Sequence, residues 1–255
     1  MTEDAPSTPV QRAFRLLEHI AAGGTTTNFS EIARATGINR VTATRLLAEL
    51  ENAGMVERSP GGGHRAAMPL LALAARVLAD ETLVSMSERA LEELGRRLGL
   101  SAYLVVLDGT DAVYLRRHLP DQPLVSNITT GSRVPAHLTT PGRVLLAGLT
   151  PAERDTWLGQ APLTTVDGSP LPAAELAETL DGVAERGFDW SFSGYEAGID
   201  SCAARVVDVG GTTVAALSVA GPSHLVGAAD ERRQQVRGAV TDAARALSDA
   251  LRFAR

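Results

Sequence analysis

The sequence predicts an α+β fold: an N-terminal winged helix-turn-helix, a linker helix, and a larger C-terminal domain mixing strands and helices. Three observations carry that prediction. Helical periodicity dominates residues 8–67 and ends in a short hairpin. An almost wholly apolar helix follows over 68–82. Beyond it, through 83–255, strand-like and helix-like segments are interspersed. A chain of 255 residues with 44% hydrophobic content has room and apolar material for two cores.

Residues 1–7 read as a frayed tail. Val10, Phe14, Leu17 and Ala21 recur at helical spacing, so one face is apolar from about residue 9 to 22. The stretch GGTTTN breaks that helix. Ser30 is an N-cap candidate for a short helix over 31–36, with Ile32 and Ala33 inward. Gly37 follows where a sharp turn needs positive φ. Asn39 caps a helix over 40–52 whose Ala43, Leu46, Leu47 and Leu50 form a stripe, and Gly54 ends it. Residues 55–58 and 64–67, joined by SPGGG, predict a two-stranded wing.

PLLALAARVLA, from Pro69 to Ala79, is apolar nearly all round and needs a surface to pack on. A helix is expected over 86–98. AYLVVLD (102–108) and AVYLRRHL (112–119) read as strands, as do segments near 124–129, 188–193, 199–208 and 212–220. Helices are expected at 141–148, 151–158, 171–186 and 230–252.

The net charge of −6 is unevenly spread. In residues 1–66 seven arginines balance seven acids; the remaining 189 residues hold 17 arginines and 23 acids, which is the whole excess. The acidic part therefore lies away from the helix-turn-helix. No stretch approaches the roughly 18–20 apolar residues of a membrane span. The start MTEDAPSTPV has no secretory pattern, and the single Cys202 excludes an intramolecular disulfide. These features favour a cytoplasmic protein.

A short helix, a glycine turn and a second capped helix make helix-turn-helix spacing. With the leucine stripe inward, Arg40, Val41, Thr42, Thr44 and Arg45 project from the first turns, the positions that enter a DNA major groove. Arginine can fork onto guanine, threonine can meet several bases, and Val41 can touch a thymine methyl. Ser30 at the preceding helix start and Arg65 in the wing complete the DNA-facing set. The competing reading is a three-helix bundle with a solvated arginine face.

Four blocks carry a family resemblance. VQRAFRLLEHIA and FSEIARATGINRVTATRLLAELENAGMVER resemble the first helix and the helix-turn-helix of the isocitrate lyase regulator (IclR) family of transcription factors. GSRVPAHLTTPGRVLLAG and GIDSCAARVVDVGGTTVAALSVAGP resemble its central and C-terminal ligand-domain signatures. The resemblance implies a GAF/PAS-like effector domain with an antiparallel sheet. It also implies a homodimer or a dimer of dimers on pseudo-palindromic operator DNA and a small-molecule effector; no cofactor and no metal are expected. Two departures stand out. The wing continues as His64-Arg65-Ala66-Ala67 where the family has an aromatic and then Leu-Gly, and Val41 stands where a small hydroxyl residue is usual.

For the effector, Thr140 is a good N-cap and Pro141 suits the first helical position, leaving Gly142 and Arg143 as early N–H donors for a carboxylate. By resemblance the same loop contributes to the effector site, which gives Val134, Thr139, Thr140, Pro141 and Gly142. In the strand from Thr213, two-residue alternation puts Val214, Ala216 and Ser218 on one small-sided face, with Ala220 following. Ile199, Ser201 and Ala203 have similar texture, and the family's matching positions, Ser201 and Ser218 among them, line the ligand site. Cys202 is read as packing.

The segment 190–195, WSFSGY, brings aromatics and hydroxyls where family members commonly carry acids. Ser191 and Phe192 are therefore expected to favour an aromatic or otherwise hydrophobic carboxylate; aromatics packing a sheet edge are the plain alternative.

An enzyme is the rival class. His137 sits beside hydroxyls and Ser201-Cys202 offers a nucleophile, but no spacing pairs them with an orienting acid and no Gly-x-Ser-x-Gly elbow occurs. The five histidines lack ligand spacing for a metal. A dimerisation module with an empty pocket is the third reading.

Overall fold

The computed structural model describes residues 7–80, 82–120, 128–226 and 229–253. The chain divides into two compact units between residues 80 and 81.

In the first unit, α1 (Pro9–Ala21) starts on a capping box in which Thr8 and Gln11 satisfy each other's backbone N–H. Its core face is Ala13, Leu16, Leu17 and Ile20, whereas Val10, Phe14 and Ala21 of the expected face stand exposed. The helix carries two apolar faces, and the core takes the one rich in Leu and Ile. In α2 (Phe29–Thr36) the N-cap is Asn28, whose side-chain oxygen accepts from the N–H groups of Ser30 and Glu31. Ser30 is thus a first-turn residue; Ile32 and Thr36 are buried and Ala33 is exposed.

Gly37 adopts φ 68°, which lets the chain turn directly into α3 (Arg40–Asn52). Asn39 caps α3 by accepting from the Thr42 N–H at 2.9 Å. The stripe Ala43, Leu46, Leu47 and Leu50 is buried. Strands β1 (Val56–Arg58) and β2 (His64–Ala66) pair antiparallel as the wing. Helix α4 (Met68–Asp80) follows, with Met68, Leu71 and Leu73 exposed.

The second unit is built on one antiparallel sheet. Its strands are β3 (Ser101–Asp108), β4 (Asp111–His118), β5 (Arg133–Pro135), β6 (Phe188–Phe192), β7 (Ile199–Val207) and β8 (Thr213–Pro222), in the order β5-β4-β3-β8-β7-β6. Alternation divides the side chains between two cores. On one face Leu104, Cys202, Leu217 and Val219 pack with α5 (Thr82–Leu98) and with α10 (Asp230–Phe253), the helix that follows α9 (Ser223–Val226). On the other, Tyr103, Val105, Ala203 and Ala216 pack with α6 (Thr140–Ala147), α8 (Ala173–Arg186) and Trp157 of α7 (Pro151–Gln160).

The register skips Val214 opposite Val206 and Val207, and Val214 packs with the first core rather than sharing the face of Ala216 and Ser218. The strand expected near 124–129 falls mostly outside the described residues; Ile128 and Thr129 belong to no strand. Strand β5, too short for a periodic signal, holds the sheet edge through Arg133, which pairs with Asp108 at 2.6 Å and Asp111 at 3.2 Å.

Candidate functional site

Each unit presents one site. In the first, α3 exposes Arg40, Val41, Thr44 and Arg45, with Thr42 half-buried. Val41 is 81% exposed, an unusual position for a valine that nothing in its own unit covers. The Arg40 guanidinium lies 5.1 Å from the centre of the Phe29 ring, so α2 orients a side chain of α3. Arg45 meets Glu49 at 3.8 Å across one helical turn, an exposed pair that is easily exchanged for a phosphate or a base. In the wing Arg65 pairs with Glu57 at 2.6 Å, and Ser30 is exposed at the start of α2. Phe29 was not among the sequence candidates; nothing in its spacing announces the ring–guanidinium contact.

The second site is a small cavity of about 40 Å³ between the sheet, α6 and the 193–198 loop. Its sheet wall is set by register. Ser191, Ser201 and Ala220 lie side by side across β6, β7 and β8, and Tyr103 and Ser218 are paired between β3 and β8. Thr139, Thr140 and Pro141 close the α6 side; Tyr114, Ile128, Tyr195, Glu196 and Ile199 complete the wall.

Among the described residues the wall carries no arginine, lysine or histidine and one carboxylate, Glu196. Its polar groups are mostly hydroxyls. Thr140 and Ser201 share a 2.6 Å hydrogen bond, and the Ser218 hydroxyl donates to the Cys202 carbonyl at 3.2 Å. Tyr103 and Tyr114 meet edge to face at 5.5 Å. Burial pushes the Tyr114 hydroxyl well above its ordinary pKa, so it stays protonated and can donate.

Of the eleven residues expected around the effector, the cavity gathers Thr139, Thr140, Pro141, Ser191, Ile199, Ser201, Ser218 and Ala220. Val134 is buried in the core below. Gly142 serves packing: a Cβ there would meet the Ala136 carbonyl oxygen at 2.0 Å, so only glycine lets α6 approach that turn. Phe192, 52% exposed, points to the opposite face of β6 from Ser191 and stacks on Trp190 at 5.6 Å. The aromatic of this segment that reaches the cavity is Tyr195.

The N-cap of α6 is Thr139, not Thr140: its Oγ1 accepts from the Gly142 N–H at 3.1 Å, and its carbonyl accepts from the Arg143 N–H at 2.9 Å. Both N–H groups expected as anion donors are therefore engaged within the helix. The Arg143 side chain turns away to Asp189 at 2.7 Å, a largely buried pair that fastens α6 to β6. Cys202 lies in the core on the other face of the sheet, where burial pushes its thiol up. Tyr103 and Tyr114 went unnoticed in the sequence although strand alternation could have found them; Ile128, Tyr195 and Glu196 come from loops that carry no period.

The chain, with a winged helix-turn-helix in one unit and a hydroxyl-lined cavity on a six-stranded sheet in the second, matches two family models. The helix-turn-helix domain of IclR regulators matches residues 9–60, and the C-terminal domain of IclR bacterial transcriptional regulators matches residues 75–249. The chain belongs to the IclR family. IclR proteins are transcriptional regulators that join a DNA-binding helix-turn-helix to an effector domain, and this chain has both parts.

Among curated relatives, the probable transcriptional regulator SauR of Cupriavidus necator is 33% identical over 174 residues, 66% of this chain and 69% of that protein. The transcriptional regulator XynR of Escherichia coli is 28% identical over 246 residues, 96% of this chain and 97% of that protein. Among solved structures, an IclR homologue from Microbacterium hydrocarbonoxydans in complex with 4-hydroxybenzoate superposes with a TM-score of 0.80 at 26% identity, covering 97% of this chain and all of that one. Among the described residues no helix is long and apolar enough to cross a membrane, and no cluster of side chains could hold a metal ion.

Proposed function

We propose that this IclR-family regulator binds a pseudo-palindromic operator through Arg40, Val41, Thr42, Thr44 and Arg45 of α3, with Ser30 and Arg65 beside them. In this reading an aromatic carboxylate bound in the cavity controls operator affinity. The observation that carries the ligand half is the cavity wall itself, which brings together three tyrosines and five Ser/Thr hydroxyls. The 4-hydroxybenzoate complex of the Microbacterium homologue supports the same class. Without a cationic side chain in the described wall, the carboxylate is met by Thr140, Ser191 and Ser201 hydroxyls near the N-terminal end of α6.

The protein acts in the cytoplasm as a homodimer or a dimer of dimers. The exposed Val10 and Phe14 of α1 and Met68, Leu71 and Leu73 of α4 are apolar surface that a second copy would cover.

Calorimetric titration with 4-hydroxybenzoate, benzoate, 4-hydroxybenzamide and short aliphatic acids tests the ligand class. The reading predicts binding of the aromatic acids ahead of the amide and the aliphatic acids. Binding of polar or cationic compounds alone would refute it.

A further inference from the structure

Behind the cavity a buried carboxylate holds the loop that covers it. Alternation along β7 turns Ile199 and Ser201 toward the cavity and Asp200 to the opposite face, where it is 4% exposed. Asp200 Oδ1 accepts from the Ser223 hydroxyl at 2.7 Å and from the Ser193 N–H at 3.1 Å, an N–H that it shares with the Ile199 carbonyl, also at 3.1 Å. With the Ser223 proton committed to Asp200, the Ser193 hydroxyl, 3.4 Å away, donates to Ser223. Ser193 Oγ in turn accepts from the Gly198 N–H at 3.2 Å, and the Ser223 N–H donates to the Gly198 carbonyl at 2.9 Å.

The Ser193 end of the 193–198 loop is thus tied directly to the Asp200 carboxylate, and the Gly198 end is tied to Ser193 and to Ser223 at the start of α9, which Asp200 also holds. Ser193 also adopts φ 53°, the one positive value outside glycine among the described residues. Serine visits that conformation rarely, and it persists only where its surroundings over-determine it. The loop so held carries Tyr195 and Glu196 into the cavity wall.

We propose that Asp200 is a positioning residue of the effector site: from behind the sheet it latches the Ser193–Gly198 loop and so seats Tyr195 and Glu196 over the ligand. The assignment rests on the reading of the cavity as the effector site. It concerns a side chain that touches no ligand and that neither the resemblance nor the cavity wall identifies. By holding the loop, the latch keeps Tyr195 and Glu196 in the cavity wall, so its loss weakens a ligand's hold.

The full-length protein and its Asp200→Ala, Asp200→Asn and Tyr195→Ala variants are compared by two measurements. The first is amide hydrogen exchange of the ligand-free proteins, which needs no ligand. Loss of the shared acceptor in Asp200→Ala is expected to speed exchange of the Ser193 and Gly198 amides about tenfold or more, with α6 unchanged. Asp200→Asn keeps an acceptor oxygen and is expected to stay within about threefold of the parent.

The second is titration with 4-hydroxybenzoate, where Asp200→Ala is expected to weaken binding about tenfold, mainly through faster dissociation. Unchanged exchange across 193–198 in Asp200→Ala overturns the latch. So does a fast-exchanging loop with unchanged probe affinity while Tyr195→Ala binds weakly. If the parent protein binds no aromatic acid, the ligand reading fails instead, and exchange alone decides the latch. Should Asp200→Ala not fold, Ser223→Ala removes one donor and is expected to show a smaller change in the same direction.

Discussion

In the N-terminal unit the α3 groups proposed to read DNA stand on the first turns of one helix, Arg40, Val41, Thr44 and Arg45 exposed and Thr42 half-buried. In the C-terminal unit the cavity wall is drawn from five strands, the start of α6 and two loops, with several of its hydroxyls already hydrogen-bonded within the protein. An exposed helix face suits a large polyanion, whose phosphates replace weak surface pairs such as Arg45–Glu49. A pre-ordered wall suits a small molecule, which cannot supply enough contact energy to organise its own site. The same chain therefore spends rigidity on the sensor and leaves the reader adaptable.

That contrast orders the expected effects of mutation. The largest belongs to the ion pair behind the cavity. Arg143→Ala leaves the buried Asp189 with only the exposed Arg186 at 4.0 Å and is expected to cost the C-terminal unit about 3 kcal/mol. Denaturant unfolding monitored by near-ultraviolet circular dichroism measures the loss; a change below about 1 kcal/mol would place the pair among weak surface bridges. Next is the reader. Arg45→Ala is expected to lose about 1–3 kcal/mol of operator affinity while ligand affinity stays unchanged. A shift assay with DNA from upstream of the protein's own gene checks it, and equal binding by the variant would move the reading face elsewhere.

Thr139→Ala removes the α6 cap and is expected to cost about 1 kcal/mol of stability. Thr140→Ala, outside the cap, should cost less stability and weaken the ligand instead. Thermal unfolding and titration of the two variants separate cap from wall. Smallest is the wing: Arg65→Ala, already paired with Glu57 on the surface, is expected to lower the salt slope of DNA binding by about one with little loss of sequence preference.

The two sites were unequally legible in the sequence for a physical reason. A helical site is a contiguous stretch, so the stripe Ala43, Leu46, Leu47 and Leu50 fixes which residues face out. The cap at Asn39 and the turn at Gly37 are local as well. What local pattern could not settle was which of two apolar faces of α1 the core would take, or that Asn28 rather than Ser30 caps α2.

The cavity depends on strand register and on loops. Alternation and the family resemblance found Ser201, Ser218 and Ala220, and alternation alone puts Ser191 and Phe192 on opposite faces, yet the skip at Val214 follows from long-range pairing that no short window contains. The one-residue shift of the α6 cap to Thr139 had the largest chemical consequence, because it occupies the N–H groups of Gly142 and Arg143. The side chain with the most reach over the cavity loop, Asp200, points away from the cavity and left no signal in the sequence.

The central claim is that a ligand in the cavity changes how tightly α3 holds DNA, and it requires differential affinity for two states of the protein. Fluorescence anisotropy of the upstream DNA, titrated with the protein at zero and at saturating 4-hydroxybenzoate, measures that coupling directly. The account predicts that the acid shifts the DNA dissociation constant about fivefold or more, and that the shift disappears in Ser191→Leu, which fills the cavity. The same DNA affinity with the acid bound as without it would contradict the account.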